Sequence, residues 1–354
     1  MPVAIVPYTS ACVPAVREFN RRLRNGGIPE DQGFPEEPDP GWLPGMHLYV
    51  AVEDNLVRGG YILRSQRYFV SRETICADHY RLPLSEGVID RTHAGVALRL
   101  IRDALARQPK LYALGMGGWD NPLPRMLKLL KWRMCETPFH FRVVNPGRFL
   151  RNIRPLRTSA LRRFAMDAAA FSGAGWLGMK ALGISRRLPE ARCDVADSFA
   201  GWGDEVWERS RDAYGLIASR DAATLDALYP PGDPRFLRVR AAGGWAVLLD
   251  TQMRDHKQFG GMRVGTIVDC LAPPTSAAAV MRAAASVLEG RGVDLIVSNQ
   301  LHAAWSRGLL DAGFRLGPSN YLLALSPEFA KAVGAARDNE FHFNRGDGDG
   351  PIHL

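Results

Sequence analysis

The feature that most limits how this chain can fold is an internal repeat. Between Ser85 and Trp132 a small-residue turn leads into an amphipathic stretch with Leu98, Ile101 and Leu105 on one face. An apolar strand, Leu111 to Gly115, and a second amphipathic stretch, Pro124 to Trp132, follow. The same succession returns at Ala272 to Tyr321. Laid over each other, Leu105 meets Leu288, Leu111 meets Leu295, and Trp132-Arg133 meets Phe314-Arg315, at offsets of 183, 184 and 182. Anchors that drift so little across a helix, a strand and a helix end imply two tandem copies of one α/β unit. We place the copies at 1–150 and 193–330, with a connector at 151–192 and a tail at 331–354. A chain of 354 residues is long enough to give each copy its own core.

In the first copy the pattern reads as a strand, Val3 to Val6, and a helix, Cys12 to Leu23, with Val13, Val16, Phe19 and Leu23 inward. A Pro/Gly-rich loop from Gly26 to Gly45, carrying Glu36, Glu37 and Asp39, is either a surface loop or a flap over a cleft. Three antiparallel strands follow, at 47–52, 57–70 and 74–82, with a turn at Glu53 to Asn55 and a backbone relaxed at Gly59-Gly60. Then come the helix after Gly95, the strand at 111–115, the helix at 124–132 and a last strand, Pro138 to Val144. The second copy opens with an aromatic-rich helix at 199–214 and has strands at 236–240, 244–254 and 263–271. A helix through Leu288, a strand at 295–299, a helix at 301–310 and a last strand at 320–325 complete it.

The net charge of +8 is concentrated in the connector. Nine basic residues between Arg151 and Arg192 face only Asp167 and Glu190, a net of +7. The two copies together are therefore nearly neutral, which argues against DNA as a partner. The connector reads as a solvated linker. It also reads as a peripheral membrane contact, with Phe171, Trp176, Leu177 and Met179 entering an anionic surface, or as a docking face for an acidic acyl carrier protein. Five scattered cysteines without a Cys-x-x-Cys pair suggest buried thiols in a reducing compartment and no metal. The start carries no basic leader, and no apolar run reaches ~18 residues, so a cytoplasmic protein is expected. The tail, with Asp347 and Asp349 between glycines, lacks the closing glutamate of a calcium loop. It reads as a flexible end, or as a segment whose His342, Arg345 and Asp347 fold back to close the cleft between copies.

This order of elements resembles the GCN5-related N-acyltransferases, the GNAT superfamily, whose phosphate loop reads Gln/Arg-x-x-Gly-x-Gly/Ala. Thr92, Gly95 and Ala97 stand at those places here, so the Gln/Arg is replaced. Small residues let the backbone approach phosphate, and helix-start N–H groups favour its charge. The resemblance implies a mixed α/β fold, two tandem GNAT-like domains, and acetyl-CoA or another acyl-CoA as cofactor. It puts Leu84, Ser85, Thr92, His93, Ala94, Gly95, Val96, Ala97 and Asn121 around the cofactor in the first copy. In the second it puts Leu271, Ser276, Ala277 and Asn299 there, with His302 and Trp305 extending a polar shelf.

Acyl transfer needs a base, donors for the developing oxyanion and an acid for the leaving thiolate. His79 and Tyr80, on the strand that would face the acyl group, and Asp269 on the corresponding strand are the catalytic candidates. Glu53, Asp78, Glu86, Asp250, Asp255 and His256 are further titratable groups. Cys270 has no histidine related to it by spacing, which argues against a thiol nucleophile. The reaction implied is transfer from acyl-CoA to an amine or hydroxyl acceptor, such as an amino sugar. The whole pattern resembles bacterial acyltransferases encoded with surface-polysaccharide assembly. Two alternatives stand beside it: a Fem-like transferase using aminoacyl-tRNA, and a pair of inactive halves serving as a scaffold.

Overall fold

The computed structural model describes residues 3–30, 32–37, 45–156 and 192–348, with the isolated positions 166, 168 and 170. Phe171, Trp176, Leu177 and Met179, the connector arginines from Arg157 to Arg187, Asp39 and Asp349 lie outside the described residues.

In the first half, β1 (Ala4–Pro7), β2 (Met46–Glu53), β3 (Leu56–Val70) and β4 (Glu73–Ser85) pair antiparallel in sequence order. Asp54 and Asn55 both take positive φ, 49° and 62°, which suits a tight two-residue hairpin. Gly60 does more than relax its strand: a Cβ there would lie 2.5 Å from the Tyr49 carbonyl oxygen and 3.0 Å from the Phe34 ring. Helix α1 (Val13–Asn25) buries Val16, Phe19 and Leu23 against Val50, Val57 and Ile62. Helix α2 (Gly95–Arg107) buries Val96, Leu100, Ile101 and Ala104 on the other face of the sheet and leads to β5 (Leu111–Leu114), parallel to β4. The described part of the 26–45 loop is mostly exposed and is anchored by Phe34, which is buried and stacks on Phe19 at 5.7 Å.

After β5 come α3 (Pro122–Leu129), β6 (Arg133–Glu136), β7 (Phe139–Val143) and α4 (Pro146–Asn152). The second half runs β8 (Asp194–Ala196), α5 (Gly203–Ser210), β9 (Leu216–Ala218), α6 (Ala222–Leu228), β10 (Leu237–Ala241), β11 (Gly244–Gln252), β12 (Arg263–Leu271) and α7 (Ala277–Gly290). It continues with β13 (Leu295–Asn299), α8 (Ala303–Asp311), β14 (Arg315–Gly317), β15 (Leu322–Leu325), α9 (Pro327–Val333) and β16 (Phe341–His342). The repeat anchors fall on matching places. Leu111 and Leu295 begin β5 and β13, and Arg133 and Arg315 begin β6 and β14. Both central strands also bulge near their ends, β4 at Leu82-Pro83 opposite Tyr61, and β12 at Val268.

The last strand of each half is exchanged. β15, from the second half, lies between β5 and β6 of the first sheet, and β7, from the first half, lies between β13 and β14 of the second. Sequence pattern places both strands but is silent on this pairing. β9 joins the two halves again by pairing with the far end of β3, at Tyr68 and Phe69. β16 adds beside β9, so the tail is built into the first sheet instead of hanging free. Phe341, His342, Phe343, Asn344 and Asp347 are all buried.

Candidate functional site

Each half contains a fork where two parallel strands part, and the two forks differ. In the first, β4 and β5 pair only at Asp78–Leu111 and His79–Tyr112. Beyond them β4 runs on through its bulge, where Leu82 takes φ 46°, and Arg81 to Leu84 stay half-buried. In the second fork, every residue from Val264 to Leu271 is buried. The chain's own tail fills it. The Leu301 N–H donates to the Phe343 carbonyl at 3.0 Å, and Asn344 Nδ2 donates to Asp269 Oδ1 at 2.8 Å. Gly346 lies so close to Asp269 and the Tyr229 hydroxyl that no side chain fits at that position.

The helix starts differ in the same sense. At α2, Ala94 and Gly95 are exposed, no side chain caps the first turn, and a Cβ at Gly95 would meet nothing within 4 Å. At α7, Ala277 is buried and α8 presses on the backbone: a Cβ at Gly308 would lie 2.9 Å from the Ala278 nitrogen. One feature of the α2 lead-in was not expected. The Asp90 carboxylate accepts the Thr92 N–H at 2.9 Å and its hydroxyl at 2.7 Å, so an acidic residue occupies the turn just before the glycine.

The cleft between the halves is lined by a polar cluster on β3, β4 and β5. Arg64 and His79 are cross-strand partners, and the His79 ring stacks on Tyr112 at 4.7 Å. The Asp347 carbonyl accepts from Arg64 Nη2 at 2.6 Å and from the Tyr112 hydroxyl at 2.7 Å; Tyr112 also bonds Gln66. Beside this cluster is a cavity of about 250 Å3, walled by β3, Cys76 of β4, Ser219 and helix α6.

No protein-family profile matches the sequence, and no curated protein matches it. Solved structures do. A probable N-acyltransferase from Enterococcus faecalis matches over 92% of this chain and 72% of its own, with 8% identity and a TM-score of 0.51. N-myristoyltransferase of Saccharomyces cerevisiae, solved with bound myristoyl-CoA, matches over 92% of this chain and 84% of its own, with 8% identity and a TM-score of 0.51. A GCN5-related N-acetyltransferase from Anabaena variabilis matches over 91% and 72%, with 8% identity and a TM-score of 0.50. The chain has the GNAT fold. At such identities the likeness is one of architecture, and chemistry has to be argued from residues.

Within the GNAT fold, the sequence candidates scatter more than expected. His79 and Tyr80 do not face one site, because successive strand residues point to opposite faces. His79 faces the cleft, whereas Tyr80 lies under α2 with Val96 and Leu100, its hydroxyl has no hydrogen-bond partner among the described residues, and burial raises its pKa. Asp269 is locked: Arg220 Nε donates to it at 2.9 Å and the Tyr229 hydroxyl at 2.9 Å, with all three groups buried. Cys270 is buried, and burial pushes its thiol well above the ordinary value. Cys76 is exposed and three other cysteines are half-buried, which corrects the expectation of buried thiols.

Among the cofactor candidates, Val96 and Leu271 are core residues, and the Ser85 hydroxyl accepts the Gly87 N–H at 3.2 Å. His93 lies 3.7 Å from Glu53, and Asn121 donates to the Met116 carbonyl at 3.1 Å. Ser276 precedes α7 without a cap bond, Asn299 is buried, His302 caps α8, and Trp305 donates to the Tyr214 hydroxyl at 3.0 Å. Leu84, Ala94, Gly95 and Ala97 keep some exposure around the open start of α2.

Of the remaining acids, Glu86, Asp250 and Asp255 are paired. Glu86 takes Arg22 at 2.6 Å and Arg58 at 2.8 Å; burial opposes its ionisation, but the two guanidiniums hold its carboxyl below the usual range. Asp250 takes Arg263 and Arg291, Asp255 bonds Arg154, and His256 closes a local turn. Burial raises the Asp78 carboxyl above its ordinary value. Sequence reasoning missed Arg64, Tyr112 and Arg220, which lie on apolar strands or at a helix approach and carry no motif.

Proposed function

We propose that this chain is an acyl-CoA-dependent acyltransferase, that its first half holds the donor, and that an amine or hydroxyl acceptor reacts in the cleft between the halves. In this reading 1–150 and 193–330 are two copies of one domain, of which one has kept a working fork. The observation that carries it is the asymmetry: one fork has a half-exposed central strand and an open helix start, and the other is filled by the tail and by α8. The first half fits the cofactor. Its strands part by the second pair, and the exposed turn at Ala94-Gly95 lets a phosphate approach helix N–H groups, although Asp90 weakens that attraction.

Acyl-CoA supplies an activated thioester carbonyl when bound. His79 is the titratable side chain that β4 turns toward the cleft, and it accepts the proton released by the attacking acceptor. Tyr112 positions His79 by stacking on it. Acetyl-CoA and longer acyl-CoA are both candidates, and an amino sugar or polysaccharide precursor is one acceptor of the required kind.

Calorimetry with acetyl-CoA and myristoyl-CoA on the wild type and on Gly95→Glu tests the reading. Gly95 has open space, so the variant folds while placing a carboxylate where the phosphate would sit. We expect one site per chain and binding weaker by about tenfold or more in the variant, as a repelled charge near a helix start implies. A wild type that binds neither donor overturns the proposal and leaves the scaffold reading.

A further inference from the structure

Arg64 is a cleft residue whose hydrogen bonding is incomplete among the described residues. Its side chain is only 3% exposed, and its hydrogen bonds go to Gln66 Oε1 at 3.1 Å, the Tyr112 hydroxyl at 3.3 Å and the Asp347 carbonyl at 2.6 Å. All three acceptors are neutral. Its Nε is buried and has no partner among the described residues, and none of their carboxylates pairs with it. The Asp347 carboxylate, the nearest by connectivity, is turned away onto Arg220 at 2.9 Å. A buried guanidinium without a counter-charge is unfavourable unless an anion completes it.

The surroundings suit that anion. Arg64 lines the cavity of about 250 Å3, with Gln66, Arg67, Ser219 and Thr224 supplying polar groups and Leu228 an apolar wall. No carboxylate lines it; Asp221, next to the lining residue Arg67, is held by that guanidinium at 3.1 Å and caps α6. The volume lies just below the ~300–1,000 Å3 of drug-sized pockets, which suits a small ligand. Arg64 is also the cross-strand partner of His79, so an anion held by Arg64 sits one strand away from the proposed base.

We infer that this cavity is an anion subsite, in which Arg64 takes the carboxylate or phosphate of a small amine acceptor. The acceptor part of this inference rests on the proposed acyl transfer; the anion site does not. Guanidinium is suited to both anions, because its fork meets two oxygens at once.

The test is binding to the full chain without any acyl-CoA, read by calorimetry and thermal shift with matched probes: phosphoethanolamine against ethanolamine, glycine against glycinamide, and inorganic phosphate alone. The anionic member of at least one pair should bind about tenfold or more tightly, the scale of a charge-assisted bond. Arg64→Gln should remove that preference. Because Arg64 also holds the tail, Ala227→Asp is the second variant: Ala227 is exposed on α6, so the fold tolerates a carboxylate there that repels the ligand. No preference in the wild type, or a preference that survives both variants, overturns the site. Inorganic phosphate binding as tightly as phosphoethanolamine overturns the acceptor assignment, since the amine then contributes nothing. Donor calorimetry on Gly95→Glu is independent of these probes, so either reading can fail alone.

Discussion

At the scale of single residues, the second half keeps its charges for structure. Arg220 lies between Asp269 and Asp347, bonded to each at 2.9 Å, with all three buried. Removing the cation strands two carboxylates in a dry site. Arg220→Met should therefore lower unfolding free energy by roughly 3–5 kcal/mol in urea titration, as breaking a buried pair does. Asp347→Asn should be milder, because Arg220 keeps Asp269; equal losses would count against this account. Burial of histidines adds a pH dependence, and His140 and His302 show it beside the fully buried His342. Burial lowers His140 and His302 to about 4, so both are neutral in the fold. Unfolded, each titrates near ~6.5, so between these values the unfolded chain binds protons that the folded chain does not. Stability should fall as pH drops from 6.5 toward 4, by roughly 2 kcal/mol per imidazole at pH 5, and be indifferent to them above 7. Urea midpoints at pH 7 and 5 check this, with His140→Gln and His302→Gln each flattening the difference; identical midpoints in the wild type would refute it.

At the scale of elements, the same residue type serves opposite ends, and glycine separates them. A Cβ at Gly60 collides with the Tyr49 carbonyl across a strand pair, and neither backbone can retreat without opening the β2–β3 hairpin. Gly60→Ala should cost about 2 kcal/mol or more by overpacking. Gly95→Ala should be neutral or stabilising by up to ~1 kcal/mol, since the site is open and alanine is the better helix former. Thermal midpoints of the two variants decide it, and a stabilising Gly60→Ala would contradict the close-approach argument. The helices and meander strands were legible in the sequence because one face of each is apolar at a fixed period, as Val16, Phe19 and Leu23 are on α1. Strands of three or four residues carried no period: β6, β9 and β14 were invisible, and of these β9 is buried throughout while β6 and β14 are largely half-buried or exposed. The candidate site was legible only where a motif or a titratable residue marked it, at Gly95 and His79. Arg64 and Asp90 act through partners distant in sequence or through a turn, and pattern cannot see either.

At the scale of the whole molecule, the repeat and the exchange pull in different directions. Two runs of a similar order of elements invite a picture of two independent domains, yet each sheet contains a strand from the other half. β5 is buried at all four positions and bonds β15 along one edge, so a first half alone would expose that edge and its apolar residues. The second half alone would lose β7 from between β13 and β14. The tail ties the halves a third time, through Arg64 and Tyr112 on one side and Asp269 and Arg220 on the other. The halves should therefore fold as one cooperative unit. Fragments 1–150 and 193–354, produced separately, should give no sharp unfolding transition, and mixing them should restore one. The full chain should unfold in a single step whether followed by far-ultraviolet circular dichroism or by tryptophan fluorescence, which reports on the first half through Trp119 and Trp132 and on the second through Trp202, Trp207, Trp245 and Trp305. A first-half fragment that folds cooperatively by itself would show that the exchanged strand is dispensable, and the cleft would then be a joint between two bodies instead of a site built from both.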